Sequence, residues 1–85
     1  MELSSECVKD VLLEIESIEE GNNKCFPVDV NPDLIHKYDP YVIMKHLQLC
    51  RMNGYVNISI ESNEGIFVEG LSADGQAYLD EVRNS

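Results

Sequence analysis

Apolar residues recur along this chain in two rhythms. Val8, Val11, Leu12, Ile15 and Ile18 follow a 3.6-residue period, and Asp10, Glu14, Glu16 and Glu19 fill the polar positions between them. This predicts an amphipathic helix from Ser4 or Ser5 to Ile18, with serine as its cap and Glu6 in its first turn. Glu20-Gly21-Asn22-Asn23 ends it with turn chemistry. Cys25-Phe26-Pro27-Val28-Asp29-Val30 reads as a short extended piece, confined to a sheet edge because Pro27 has no N–H to donate. Asn31-Pro32 then opens a short helix over 33–38, which must stop where Asp39 precedes Pro40. Asp39 and Pro40 in turn cap and start a longer helix. Its packing face is Ile43, Leu47 and Cys50, with His46 and Asn53 at the margin. Tyr41, Lys45, Gln48 and Met52 point the opposite way, and Met44 and Leu49 lie between.

At Gly54 the rhythm changes. A glycine after the last periodic residue accepts a left-handed C-cap without a Cβ clash. Val56-Asn57-Ile58-Ser59-Ile60 and Ile66-Phe67-Val68-Glu69-Gly70-Leu71 then alternate with period 2 around the turn Glu61-Ser62-Asn63-Glu64-Gly65, which predicts a hairpin. Ser72 caps a last helix carrying Ala77, Tyr78, Leu79 and Val82, with fraying at Asn84-Ser85. Gly75 in its first turn is costly unless another backbone passes close by. The order is helix, short strand, short helix, longer helix, hairpin, helix. Two helices joined at a brief corner, the second running straight into a hairpin, predict a single α+β domain over 1–85 of the winged helix-turn-helix type.

Composition changes this picture chiefly through charge. An 85-residue chain buries only about 60–65% of its unfolded surface, so its core is thin. No apolar run spans a bilayer and the first residues lack the regions of a secretory leader, so a cytoplasmic protein is expected. Three widely spaced cysteines, Cys7, Cys25 and Cys50, fit reduced thiols better than a disulfide framework. Sixteen acids against six Lys and Arg leave a net charge of −10. Residues 1–20 carry −6 and residues 56–85 carry −5, whereas residues 34–55 carry +2. The basic patch thus falls on the helix that a winged helix would present to DNA.

Three stretches together resemble a family of small winged-helix proteins of unknown function, found mainly in low-GC Gram-positive bacteria and their phages. Val8-Lys9-Asp10-Val11-Leu12-Leu13-Glu14-Ile15-Glu16 is similar to the family's opening helix, a basic and apolar run ending in Leu-Leu-x-Ile-Glu. His46-Leu47-Gln48-Leu49-Cys50-Arg51-Met52-Asn53-Gly54-Tyr55-Val56 resembles its His-Leu-Lys-Leu-Leu-x-x-Ala-Gly-Leu-Ile. Residues 71–83, from Leu71-Ser72 to Val82-Arg83, resemble Leu-Thr-x-x-Gly-His-x-Phe-Leu-Asp-x-Ile-Arg. Cys50 in place of Leu and Asn53 in place of Ala are the departures. The resemblance implies a winged-helix fold without an assigned biochemical role.

Residue chemistry offers several readings. His46 and Cys50, one helical turn apart, and His36 are candidates for metal ligation or base catalysis. Neither a third and fourth ligand nor a Cys-x-x-Cys pair lies nearby, and the simpler expectation is Cys50 in the core with His46 at its edge bonding a backbone carbonyl. Ser4, Ser5 and Ser72 are explained by capping, and no phosphate loop or nucleophile elbow is present. No catalytic residue, metal, cofactor or small-molecule substrate is therefore expected. A DNA-binding reading places Tyr41, Lys45, Gln48 and Met52 on the recognition face, with Lys37, Arg51 and His36 flanking it. The hairpin argues against it, because Glu61, Glu64 and Glu69 would meet phosphate with no Lys or Arg among them. The favoured expectation is a non-enzymatic binding module in regulatory or protein–protein contact, with a protein partner or a second copy. Met44 and Leu49, with Tyr41 and Met52, would supply an adaptable interface unless neighbouring helices cover them.

Overall fold

The computed structural model describes residues 3–84. The expectations that rest on Met1, Glu2 and Ser85, the reading of the first residues against a secretory leader and the fraying expected at Ser85, lie outside that range. The elements are α1 (Ser5–Glu16), β1 (Lys24–Phe26), α2 (Pro32–Lys37), α3 (Pro40–Met52), β2 (Val56–Ser62), β3 (Gly65–Leu71) and α4 (Ala73–Arg83). The described residues form an α+β fold: four helices and one antiparallel sheet in the order β1-β3-β2.

Each helix starts on the cap that its sequence announces. Ser4 Oγ accepts from Cys7 N–H, Asn31 from Asp33, Asp39 from Tyr41 and Ser72 from Gly75. Such caps satisfy amides that have no intrahelical partner. Gly54 adopts φ +74°, the left-handed conformation expected just beyond α3. Helix α1 is shorter than its apolar stripe suggests. It ends at Glu16 with Ser17 as C-cap, and Ile18 packs on the core from the following turn.

Two further boundaries differ from the periodicity. The extended piece at 25–30 is only three residues long as a strand, because the chain turns back after Phe26. The Asp29 N–H donates to the Cys25 carbonyl, and the Asp29 carboxylate accepts the Cys25 N–H. The Phe26–Pro27 peptide is cis. The hairpin is longer than expected, with Ser62 paired to Gly65 across a two-residue turn.

Its register also shifts twice. Asn57 pairs with Gly70, Ile58 with Val68, and Ile60 with Phe67, so Glu69 and Ser59 are bulged out on opposite strands. Simple alternation would align Ile60 with Val56 and Ile58 on the core face. The bulge instead turns Ile60 outward, 60% exposed, beside Phe67 on the far face of the sheet.

The core lies between that sheet and the helices. Val11, Leu12 and Ile15 of α1 meet Ile43 and Leu47 of α3, Phe26 and Val68 of the sheet, and Leu79 of α4, all within 1% of full burial. Helix α1 is the hub, contacting α3, α4 and β3. Helix α4 is held at both ends. Ser72 N–H donates to the Tyr55 carbonyl and Ser72 Oγ donates to the Gly54 carbonyl. Tyr78 stacks on Tyr55 with ring centres 4.7 Å apart. Arg83 grips Glu16 through both guanidinium nitrogens at 2.8 and 2.9 Å. That pairing, with the Gln76 amide, holds the Glu16 carboxyl below its ordinary range, and Arg83 does the same to Asp80. Gly75 is the close approach that its position in the first turn required: a Cβ there would overlap the Tyr55 carbonyl oxygen. Among the described residues no helix is long and apolar enough to cross a membrane.

Candidate interaction face

Helix α3 is positioned by its buried side. Ile43, Leu47 and Cys50 are fully enclosed, and so is His46. The two nitrogens of His46 define its state. The Ser4 N–H can only donate, and it lies 2.9 Å from Nε2, so Nε2 is an acceptor. The proton therefore sits on Nδ1, which donates to the Val42 carbonyl at 2.7 Å. A bond to a backbone carbonyl is what the sequence leads one to expect of His46, although at the margin of the core and not fully inside it. The Ser4 bond was not foreseen, because it joins residues 42 positions apart and appears only when α1 docks on α3. With both nitrogens engaged by backbone, His46 works as a strut between two helices. Its neighbour by spacing, Cys50, is a core thiol pushed up to about 12 by burial and then by Cys7.

Cys7 is likewise raised to about 11, first by burial and then by Asp10, and Cys25 is raised mainly by burial. All three thiols are free and buried. Since the thiolate is the reactive form, the folded protein at pH 8 is expected to leave an aromatic disulfide reagent almost unconsumed. Denaturant should release all three equivalents. Fast native-state labelling of Cys50 would show that the α1–α3 seam opens readily.

On the opposite side of α3, Tyr41, Lys45, Gln48 and Met52 form one exposed stripe. Tyr41 is 62% exposed and Met52 84%. The Lys45 ammonium sits 5.4 Å from the centre of the Tyr41 ring, a cation–π contact. Met44 and Leu49 are placed differently from this stripe. Both are half-buried and pack against the core cluster, so much of the apolar surface assigned to an interface is covered within the chain.

The flanking cations are not free. Lys37 Nζ donates to Glu6 at 2.8 Å and to Asp10 at 2.9 Å, and these bonds raise its pKa. Tyr38 joins the cluster by donating to Asp10 at 2.8 Å; burial and that bond push its phenol up to about 12. Arg51 pairs with Glu61 at the start of the hairpin's turn end. Lys24 pairs with Glu14 and Arg83 with Glu16 and Asp80. Among the described residues Lys9 and Lys45 are the cations outside an ion pair. A shallow groove of about 350 Å³ between α1 and α2 is lined by Asp10, Glu14, Asp33 and Lys37 over Leu13 and Leu34. Its Asp10 and Glu14 carboxylates are the ones already holding Lys37 and Lys24. Among the described residues no three His, Cys, Asp or Glu side chains are grouped to hold a metal ion. His36 is exposed on α2, apart from the buried His46 and Cys50.

Residues 2–85 match the family described as Hypothetical protein (DUF2513). The chain belongs to that family. The match runs over nearly the whole sequence, so the stripe on α3, the hairpin and the α4 latch all fall inside the family's span. No curated protein matches this family member, and no solved structure does.

Proposed function

We propose that this family member is a winged-helix binding module, acting in the cytoplasm without catalysis of its own, that contacts a protein through the outer face of α3. The order of elements supports the fold: α2 and α3 meet at Tyr38-Asp39, and β2–β3 supply the wing. The setting is regulatory and phage- or prophage-related, as the sequence resemblance implies.

One observation carries the choice of protein over nucleic acid. The chain's own carboxylates have already taken the cations beside the presented helix, Lys37 through Glu6 and Asp10 and Arg51 through Glu61. Duplex binding draws its affinity from counterions released as Lys and Arg meet phosphates. Here Lys45 alone remains on the stripe for that purpose, while Glu64 and Glu69 face outward on the hairpin. Pairs this exposed are weak in water, so a phosphate could compete for Lys37 or Arg51. It would then leave the released carboxylates unpaired beside it.

Retention on mixed-sequence duplex DNA at low salt tests this. We expect none at micromolar protein. Binding that falls steeply with added salt and is lost in Lys45→Ala would replace this reading with a DNA-binding regulator using Tyr41, Lys45 and Gln48.

A further inference from the structure

Carboxylates are spread over this chain except in one run: Pro40 to Ile60 contains no Asp or Glu. That run includes all of α3. In a molecule of net charge −10, two copies can approach closely only where acids do not oppose acids. The outer stripe of α3 is such a place, and its spacing has a second property. Tyr41, Lys45, Gln48 and Met52 are separated by four, three and four residues, which is the spacing of a two-helix seam. That spacing reads the same in both directions about a point between Lys45 and Gln48.

We infer that the partner of this face is a second copy of the chain, bound through an antiparallel α3–α3 contact on a two-fold axis between Lys45 and Gln48. The inference rests on the protein-contact reading above. A two-fold interface sets each residue against its symmetry mate in reverse order. Tyr41 therefore packs on Met52 of the other copy, aromatic ring against thioether, and this occurs twice. Lys45 meets Gln48 of the other copy, so an ammonium faces an amide oxygen and the two lysines stay apart. A parallel arrangement would oppose Lys45 to Lys45 and forfeit that match. Tyr41 and Met52 are also the two most exposed large apolar side chains of α3. Arg51 and Glu61 neutralise one another at the edge of the patch.

Sedimentation of the full chain over a concentration series tests the contact. The expected mass is twice 9.6 kDa at high concentration. Met52→Asp should return it to 9.6 kDa. Adding Tyr41→Lys to Met52→Asp should restore the doubled mass, because the register sets those two positions against each other. Both sites are exposed, so circular dichroism should show unchanged folding in each variant. A wild-type chain that stays monomeric at roughly 1 mM overturns the inference. So does a dimer that survives Met52→Asp, or a Tyr41→Lys, Met52→Asp double variant that stays monomeric. A monomer that also ignores duplex DNA overturns this inference alone and leaves protein contact standing. Salt-sensitive DNA binding lost in Lys45→Ala overturns the reading beneath it.

Discussion

His46→Ala is expected to cost about 3 kcal/mol of stability or more. The ring is fully enclosed, so its removal opens a void that the α1–α3 seam can close only in part. It also strands the Ser4 N–H, which has Nε2 as its acceptor at the head of α1. An amide left without a partner costs more than the bond it lost was worth. Each kcal/mol moves the midpoint of a domain this size by about 4–8 °C, so a fall of roughly 15 °C is expected in a thermal melt. His46→Gln supplies an amide oxygen near Nε2 and should recover part of the loss. If His46→Ala melts within a degree or two of the parent, the imidazole is not the strut described here. If glutamine and alanine behave alike, volume rather than the Ser4 bond is what matters.

Gly75→Ala should also destabilise, by about 2–3 kcal/mol, against the usual rule that alanine improves a helix by about 1 kcal/mol over glycine. The reason is the Tyr55 carbonyl. An added Cβ overlaps that oxygen and crowds the Tyr55 backbone behind it, and a backbone atom cannot rotate aside as a side chain can. Relief requires α4 to move away from the α3–β2 corner. That movement would stretch the Ser72 bonds to Tyr55 and Gly54 and unstack Tyr78 from Tyr55. Gly70→Ala is the control, because a Cβ there meets no atom within 4 Å. It should leave the melt nearly unchanged. Equal melts for the two variants would mean that α4 tolerates displacement and that the corner is not a tight joint.

These two positions were differently legible in the sequence. A glycine in the first turn of a helix already asked for a backbone neighbour, although not which one. The period of α3 places His46 at the edge of the core with some backbone carbonyl as its partner; the carbonyl is that of Val42, but the ring lies fully inside, because α1 docks over it. The Ser4 bond could not be read, because neither residue carries a mark pointing to the other. The stripe Tyr41, Lys45, Gln48 and Met52 followed directly from the period of α3. Met44 and Leu49, at intermediate angles, were ambiguous for the same reason, and only the position of neighbouring elements decided how far they are covered. The charge asymmetry was visible as well. Its consequence was not, since Lys37 finds Glu6 and Asp10 across 31 and 27 residues of chain.

The sequence by itself determined the four helices, their caps and the hairpin that follows α3. Capping bonds and hydrophobic periods are settled within three or four residues, and those residues are adjacent whatever the rest of the chain does. The tertiary structure alone decided where α1 ends, how short β1 is, and that Ile60 faces outward past a bulge. It alone decided that Lys37 and Arg51 lie against the chain's own acids. Those outcomes depend on which distant surfaces meet when a thin core closes around α1, and packing of that kind leaves no local signature in the order of residues.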